Sequence, residues 1–339
     1  MGLAILLAGA LLLASCGDFF TPVTGGSGGG GGGGTGGTPK FAYTANFSGG
    51  AAGSVSAFTV NSSTGALTET LGSPFAAGTG PVALGADVNG KFLYVSHQGG
   101  GVAAYTINRN DGTLTLVNTA LYNTGASPSG IAVDPQARYV YVANNGSSDI
   151  SSFTINSSTG ALTPLANTTA AGGAPVNAIE DPTGHFVYVP LGAGGTGVFK
   201  INSDGSLASV DTVKPAPCAA SYDVALDSNS RFAYTVDNSG SVCGYAVNAS
   251  NGDLMLITTT AVPAGTKPVA VAVAGGNKYL FVANQGSNNV SAYAINSDGT
   301  LAAVSGSPFA AGNTPVALSV DPSSSFVYVA NFNDSTVTL

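Results

Sequence analysis

An aromatic pair recurs seven times at an almost constant interval, and that periodicity limits the fold more than any other feature of the chain. The pairs are Phe41 and Tyr43, Phe92 and Tyr94, Tyr139 and Tyr141, Phe186 and Tyr188, Phe232 and Tyr234, Tyr279 and Phe281, and Phe326 and Tyr328. Their second members lie 51, 47, 47, 46, 47 and 47 residues apart. Linkers repeat as well: the run from Gly72 through Pro74 and Phe75 to Gly78 returns from Gly306 through Pro308 and Phe309 to Gly312. A chain built this way is a series of equivalent units, each too small to bury its own apolar face and stacked on its neighbours.

Each period holds four short strands separated by turn residues. The first is small and apolar, as at Ile131, Ala132 and Val133, and closes on Asp87, Asp134, Asp181, Asp227 or Asp321. The second carries the aromatic pair and ends on Asn46, Asn144, Asn284 or Asn331 in four copies. The third alternates, as at Val55, Ala57, Phe58 and Val60. A Gly-containing hairpin then leads to a fourth strand that begins on Leu67, Leu114, Leu162, Leu207, Leu254 or Leu301. Runs this short leave no room for crossover helices. The pattern predicts an all-β chain, a seven-bladed β-propeller with four-stranded antiparallel blades over residues 40–339. The count gives six first strands, seven second, seven third (the last cut short) and six fourth, so both terminal blades are expected to be incomplete, as a truncated chain would leave them.

The cores Tyr141-Val142-Ala143-Asn144, Phe281-Val282-Ala283-Asn284 and Tyr328-Val329-Ala330-Asn331 resemble the repeat of YVTN-type seven-bladed propellers, a group that includes the lactonase-family, 6-phosphogluconolactonase-like proteins. The resemblance implies a lactone hydrolase with its site at the mouth of a central channel. No cofactor and no metal are expected for this chain.

The chain ahead of the repeats reads as an address. Residues 3–14 are apolar, too short to span a bilayer, and lead into Ala14, Ser15 and Cys16. This resembles a bacterial lipobox, in which the chain is cut before the Cys and the thiol is lipidated; an ordinary secretory peptide is the other reading. Residues 16–39, rich in Gly, are expected to be a tether with a reach of roughly 25–30 Å. The expected location is therefore a bacterial cell envelope, lipid-anchored, by preference at the outer membrane. Nine Lys plus Arg against seventeen Asp plus Glu give a net charge of −8 and leave no basic footprint for nucleic acid. Two His and three Cys are too few for a zinc framework.

Residues that fit the repeat are structural by default, and departures from it are the functional candidates. The Asp that closes the first strand recurs too regularly to be special. His185 occupies a turn position otherwise held by Lys91, Arg138, Arg231 and Lys278. His97 and Asp237 replace the Asn that ends the second strand, while Asn177 and Asp223 replace a small residue in the first. Lys267 replaces a small residue just before that strand. These five should share the channel-mouth face. His97 and Asp223 are the predicted catalytic pair, the imidazole as base and the carboxylate orienting it or the water. Asn177, Asp237 and Lys267 would contact the ligand. Both catalytic candidates lie at strand ends, where reversion to the repeat residue should cost little stability. Glu180, where other copies have Val133, Leu226, Val273 or Val320, is the reserve catalytic candidate, a carboxylate facing desolvation near the opposite end of the channel.

Cys218 replaces a repeated Gly and Cys243 a Ser or Ala of one blade. They are either a disulfide, as export permits, or two small-residue replacements. Two functions remain open on these residues. One is hydrolysis of a small lactone or sugar; the other is non-catalytic binding or scaffolding of a surface partner protein. A convergent His97–Asp223 pair would favour the first.

Overall fold

The computed structural model describes residues 20–24, 39–47, 52–214, 218–258, 260–274, 276–321 and 323–339. Every regular element among them is a β-strand, and the strands form seven antiparallel sheets arranged as the blades of a propeller. Blade 3 shows the plan: Pro128–Val133 innermost, then Tyr139–Asn144, Asp149–Ile155 and Leu162–Pro164 outermost. Its second strand is buried along its whole length because blades stack on both of its faces. The returning chain at Thr169–Ala170 pairs with the start of the third strand, so the outer edge is shared between it and the short fourth strand.

Two polar devices hold this plan in place. In five blades the Asp that closes the first strand caps the turn that follows. Asp87 accepts the N–H groups of Lys91 and Phe92 at 2.6 and 2.7 Å, and Asp321 accepts those of Ser325 and Phe326 at 2.7 and 2.6 Å. The second device joins blades. The Tyr141 hydroxyl donates to the carbonyl of Gly205 in the next blade at 3.0 Å. Tyr43, Tyr94, Tyr188 and Tyr234 repeat the bond to Gly112, Gly160, Gly252 and Gly299. Tyr328 donates to Gly65 at 2.9 Å, across 263 positions of sequence, and so joins blade 7 to blade 1.

The first blade departs from expectation. Phe20–Thr24, placed within the tether by the sequence, pairs antiparallel with Pro39–Asn46. It contacts the innermost strands of blades 7 and 2, Pro315–Val320 and Pro81–Ala86. It is the seventh innermost strand. Without it the inner edge of Pro39–Asn46 would leave backbone groups unpaired in the middle of the ring. Its sequence lacks the repeat's closing Asp and precedes the Gly-rich run, which is why the period passes over it. Blade 7 matches expectation: among the described residues it has three strands, Pro315–Val320, Val327–Asn331 and Thr336–Thr338.

Tyr141→Phe removes a single buried hydroxyl and strands the Gly205 carbonyl. It should lower the unfolding free energy by about 1–2 kcal/mol in denaturant titrations; an unchanged midpoint would mean that these bonds do not hold the blades together.

Candidate functional site

The face at which the second strands end is built around a repeated latch. Asn144 donates from Nδ2 to Asp149 at 2.7 Å and to Ser151 at 2.9 Å. Asn284 does the same to Asn289 and Ser291, and its Oδ1 accepts the N–H of Gly265 in the returning linker at 3.0 Å. An amide suits this place because it donates and accepts at once. It ties second strand, third strand and linker together.

His97 and Asp237 occupy that latch position and take over its work. His97 is 1% exposed, and its Nδ1 lies 3.2 Å from the Thr79 carbonyl of the linker. Nδ1 therefore carries the proton. Nε2 is buried without a hydrogen-bond partner, and burial pushes the imidazole pKa below its ordinary value despite the Thr79 bond. Asp237 accepts the N–H groups of Ala220 at 3.0 Å and Ser239 at 2.8 Å. Both departures from the repeat clamp the linker, as the Asn does.

Asn177 and Asp223 are brought together. Asn177 Nδ2 donates to Asp223 Oδ1 at 3.0 Å, and the Val271 N–H donates to Asp223 Oδ2 at 2.9 Å. One carboxylate thereby joins blades 4, 5 and 6 at the innermost strands. Reverting Asp223 to Ala would strand two buried donors at about 1–3 kcal/mol each, which corrects the expectation of a nearly free reversion. His97 and Asp223 do not form a pair. One imidazole nitrogen faces Thr79 and the other has no partner, in blade 2, while the carboxylate lies in blade 5.

Lys267 sits on the same face with a left-handed backbone (φ 52°) shared by Ser127 and Thr314, so its side chain is the departure and its conformation is not. Of the five candidates it alone is exposed. Ser129 belongs to the central ring too: its hydroxyl donates to the carbonyl of Pro175 at 2.8 Å and lies 3.2 Å from that of Ala143. The sequence contained a signal for it, a polar residue where other copies have Val82, Val176, Val269 or Val316.

Glu180 lies at the other end of the channel, against Asp134 of the preceding blade. Its two oxygens are buried and receive no N–H or O–H; the polar group they meet is the Asp134 carboxylate, to which a protonated Glu180 donates. Asp134 is engaged by Arg138, whose Nε donates at 2.6 Å. Burial first, and the Asp134 charge second, push the Glu180 carboxyl up to about 10. It is a neutral acid at pH 7. Cys218 and Cys243 are bonded, with Cα atoms 6.2 Å apart. In blade 3 the equivalent contact is a hydrogen bond from the Gly125 N–H to Ser151 Oγ; blade 5, whose latch is an Asp unable to donate to that hydroxyl, has a covalent bond instead. No group of three or more metal-ligating side chains occurs among the described residues.

A family model described as "Lactonase, 7-bladed beta-propeller" matches residues 41–339. No curated protein sequence matches the chain. Among solved structures, a Bacteroides uniformis protein provisionally named a 6-phosphogluconolactonase is similar at 20% identity and a TM-score of 0.70, covering 82% of this chain and 84% of that one. The periplasmic gluconolactonase PpgL of Pseudomonas aeruginosa is similar at 18% identity and a TM-score of 0.64, covering 82% and 84%. Kuenenia stuttgartiensis hydrazine synthase is similar at 18% identity and 0.63, covering 89% and 92%. At these identities the structures attest the fold.

The buried carboxyl and the disulfide each make a measurable claim. Folding raises the pKa of Glu180, so above the unfolded value near 4.5 the native state must hold a proton that the unfolded chain has released. The penalty is absent below pH 4 and grows as the pH rises toward 10. Glu180→Gln should match the parent at pH 4 and be more stable by about 2–3 kcal/mol at pH 7; a pH-independent difference would contradict this. Returning Cys218 to Gly and Cys243 to Ser opens a loop with a sequence separation of 25. The loss should be about 3 kcal/mol, and thiol labelling of the unfolded, unreduced parent should find neither Cys free.

Proposed function

Because the chain belongs to the lactonase family of seven-bladed β-propellers, we propose that it is a lactonase-like protein of a bacterial cell envelope that hydrolyses a small lactone at the channel mouth. The observation that carries this reading is the family match, which runs through all seven aromatic repeats. The lipobox-like residues 14–16, which lie outside the described residues, support export. So does the Cys218–Cys243 bond, which an oxidising compartment preserves. A similar fold is named a periplasmic gluconolactonase. A phosphorylated lactone fits poorly, because recognising a phosphate calls for charged donors and Lys267 is the one cation among the five candidates at this face.

Lactone hydrolysis needs a base for water and donors for the oxyanion. Lys267, exposed at the mouth, can stabilise developing negative charge. His97, sealed behind the linker, does not reach a substrate in this conformation. A second reading, a non-catalytic surface-binding propeller, is favoured by one observation: His97, Asn177, Asp223 and Asp237 are all buried in contacts that hold the fold.

A panel of unphosphorylated lactones separates the two. If the protein is a lactonase, Lys267→Ala should lower turnover by roughly 10-fold or more, while His97→Asn, which restores the repeat latch, should leave it within about twofold. Hydrolysis that disappears in His97→Asn would return the imidazole to catalysis. No turnover on any lactone would overturn the hydrolase and leave the binding propeller.

A further inference from the structure

The Phe20–Thr24 strand fixes the side from which the chain enters the ring. Phe20 is opposite Thr44 and Thr24 is opposite Pro39. In blade 3 the innermost strand runs the same way, from Pro128 opposite the latch residue Asn144 to Val133 opposite Val140, and Thr44 lies two residues from the corresponding Asn46. The N-terminal strand therefore runs as the other innermost strands do, from the latch face toward the face of the Asp turns. Cys16 precedes Phe20 by four residues, at most about 14 Å of extended chain. A single tether over residues 16–39 would instead have joined the anchor to the turn face, at Pro39. The strand divides that segment. Residues 25–38 only connect Thr24 to its register partner Pro39 and add nothing to the distance between Cys16 and the ring.

The surface beside this point is suited to lipid. Phe47 and Phe332 lie together at the latch-face end of the junction between blades 7 and 1. Phe332 is 37% exposed. Among the described residues the exposed charges of the latch face are Lys214, Lys267 and Asp334. The turn face exposes Lys91, Arg138, Arg231, Lys278, Asp111 and Asp298, among others. Charged groups are the costly ones to take out of water, so the latch face is the one that approaches a membrane at lower cost.

We propose that the lipid carried by Cys16 holds the latch face, and with it the mouth of the central channel, against the membrane surface. This rests on the lipoprotein reading and adds an orientation to it. A substrate would then reach the mouth from the lipid interface, through a gap of at most the four-residue span, and the turn face would look outward.

The full lipidated protein is reconstituted in vesicles of phosphatidylethanolamine and phosphatidylglycerol that contain brominated lipid. One fluorophore is attached at Thr266→Cys or Asn333→Cys on the latch face, or at Ser157→Cys on the turn face. Both latch-face labels should be quenched several-fold more strongly than the Ser157→Cys label. Insertion of about twenty Gly and Ser residues between Phe19 and Phe20 should erase the difference, since a chain of that length lets the ring turn freely. Equal quenching without the insertion, or stronger quenching at Ser157→Cys, overturns the orientation while leaving the anchor intact. The anchor is read separately. Cys16→Ser should leave the vesicles, and the N-terminal fragment of the parent should carry acyl mass; a Ser variant that stays bound, or a fragment without acyl mass, overturns the lipoprotein reading itself.

Discussion

The hydroxyl of a buried Tyr, donated to a Gly carbonyl one blade further round, is the contact on which the ring depends. The strand ladders run within each blade and give one sheet no reason to meet the next. The Tyr supplies that reason at a fixed height, and the Gly makes room for it. At Gly112 the backbone has φ 79°, and a Cβ there would collide with the ring of Phe41, the other member of the aromatic pair of blade 1. Hydroxyl, ring and glycine are thus one device, and it recurs six times. In the remaining pair the second aromatic is Phe281, which has no hydroxyl. It faces blade 7, where no fourth strand occurs among the described residues. Its neighbour Tyr279 is 42% exposed, whereas the equivalent Tyr139 is 8% exposed beneath its hairpin.

The latch shows how a repeat protein changes residues without changing architecture. Asn144 needs a donor for Ser151, and Asn284 also uses an acceptor for its linker N–H. Asp237 retains only the acceptor, and in the same blade the hydrogen bond that a Gly N–H donates to a Ser hydroxyl elsewhere is replaced by the Cys243–Cys218 bond. His97 offers a donor, and its partner is correspondingly a carbonyl, that of Thr79. These substitutions are compensated locally. That is why they stand out in the sequence as departures and yet, in three dimensions, perform the duty of the residue they replaced.

Strand order, blade number and the turn role of Asp87 or Asp321 were legible because each copy reports the same local chemistry. So was the shared face of the latch residues, since strand direction alternates predictably. Contacts between copies were not legible. The Asn177–Asp223 bond and the approach of Glu180 to Asp134 connect residues about one period apart, at positions where the other copies carry small or apolar side chains or a turn Asp, and nothing in the period reports how closely two first strands meet. Phe20–Thr24 escaped for a different reason: it pairs through backbone groups, which any sequence can offer, and carries none of the repeat's side-chain signals.

A ring of this kind does not by itself select a reaction. Gluconolactonase and hydrazine synthase are named among proteins of similar fold, so activity must come from side chains at the channel. Here the polar side chains nearest the axis serve the ring. Ser129 stitches blade 3 to blade 4, Asn177 reaches from blade 4 to Asp223 of blade 5, and Asp223 accepts the Val271 N–H from blade 6. Those three bonds bind four consecutive blades at one level. The middle two of the four, blades 4 and 5, have the shortest first strands, two residues at Ile179–Glu180 and four at Asp223–Leu226. Side-chain hydrogen bonds there replace the backbone ladder that short strands cannot provide. The polar centre is therefore the consequence of a thinned inner sheet, and a ligand at the mouth would meet the exposed Lys267 and the linker backbones ahead of the carboxylate beneath them.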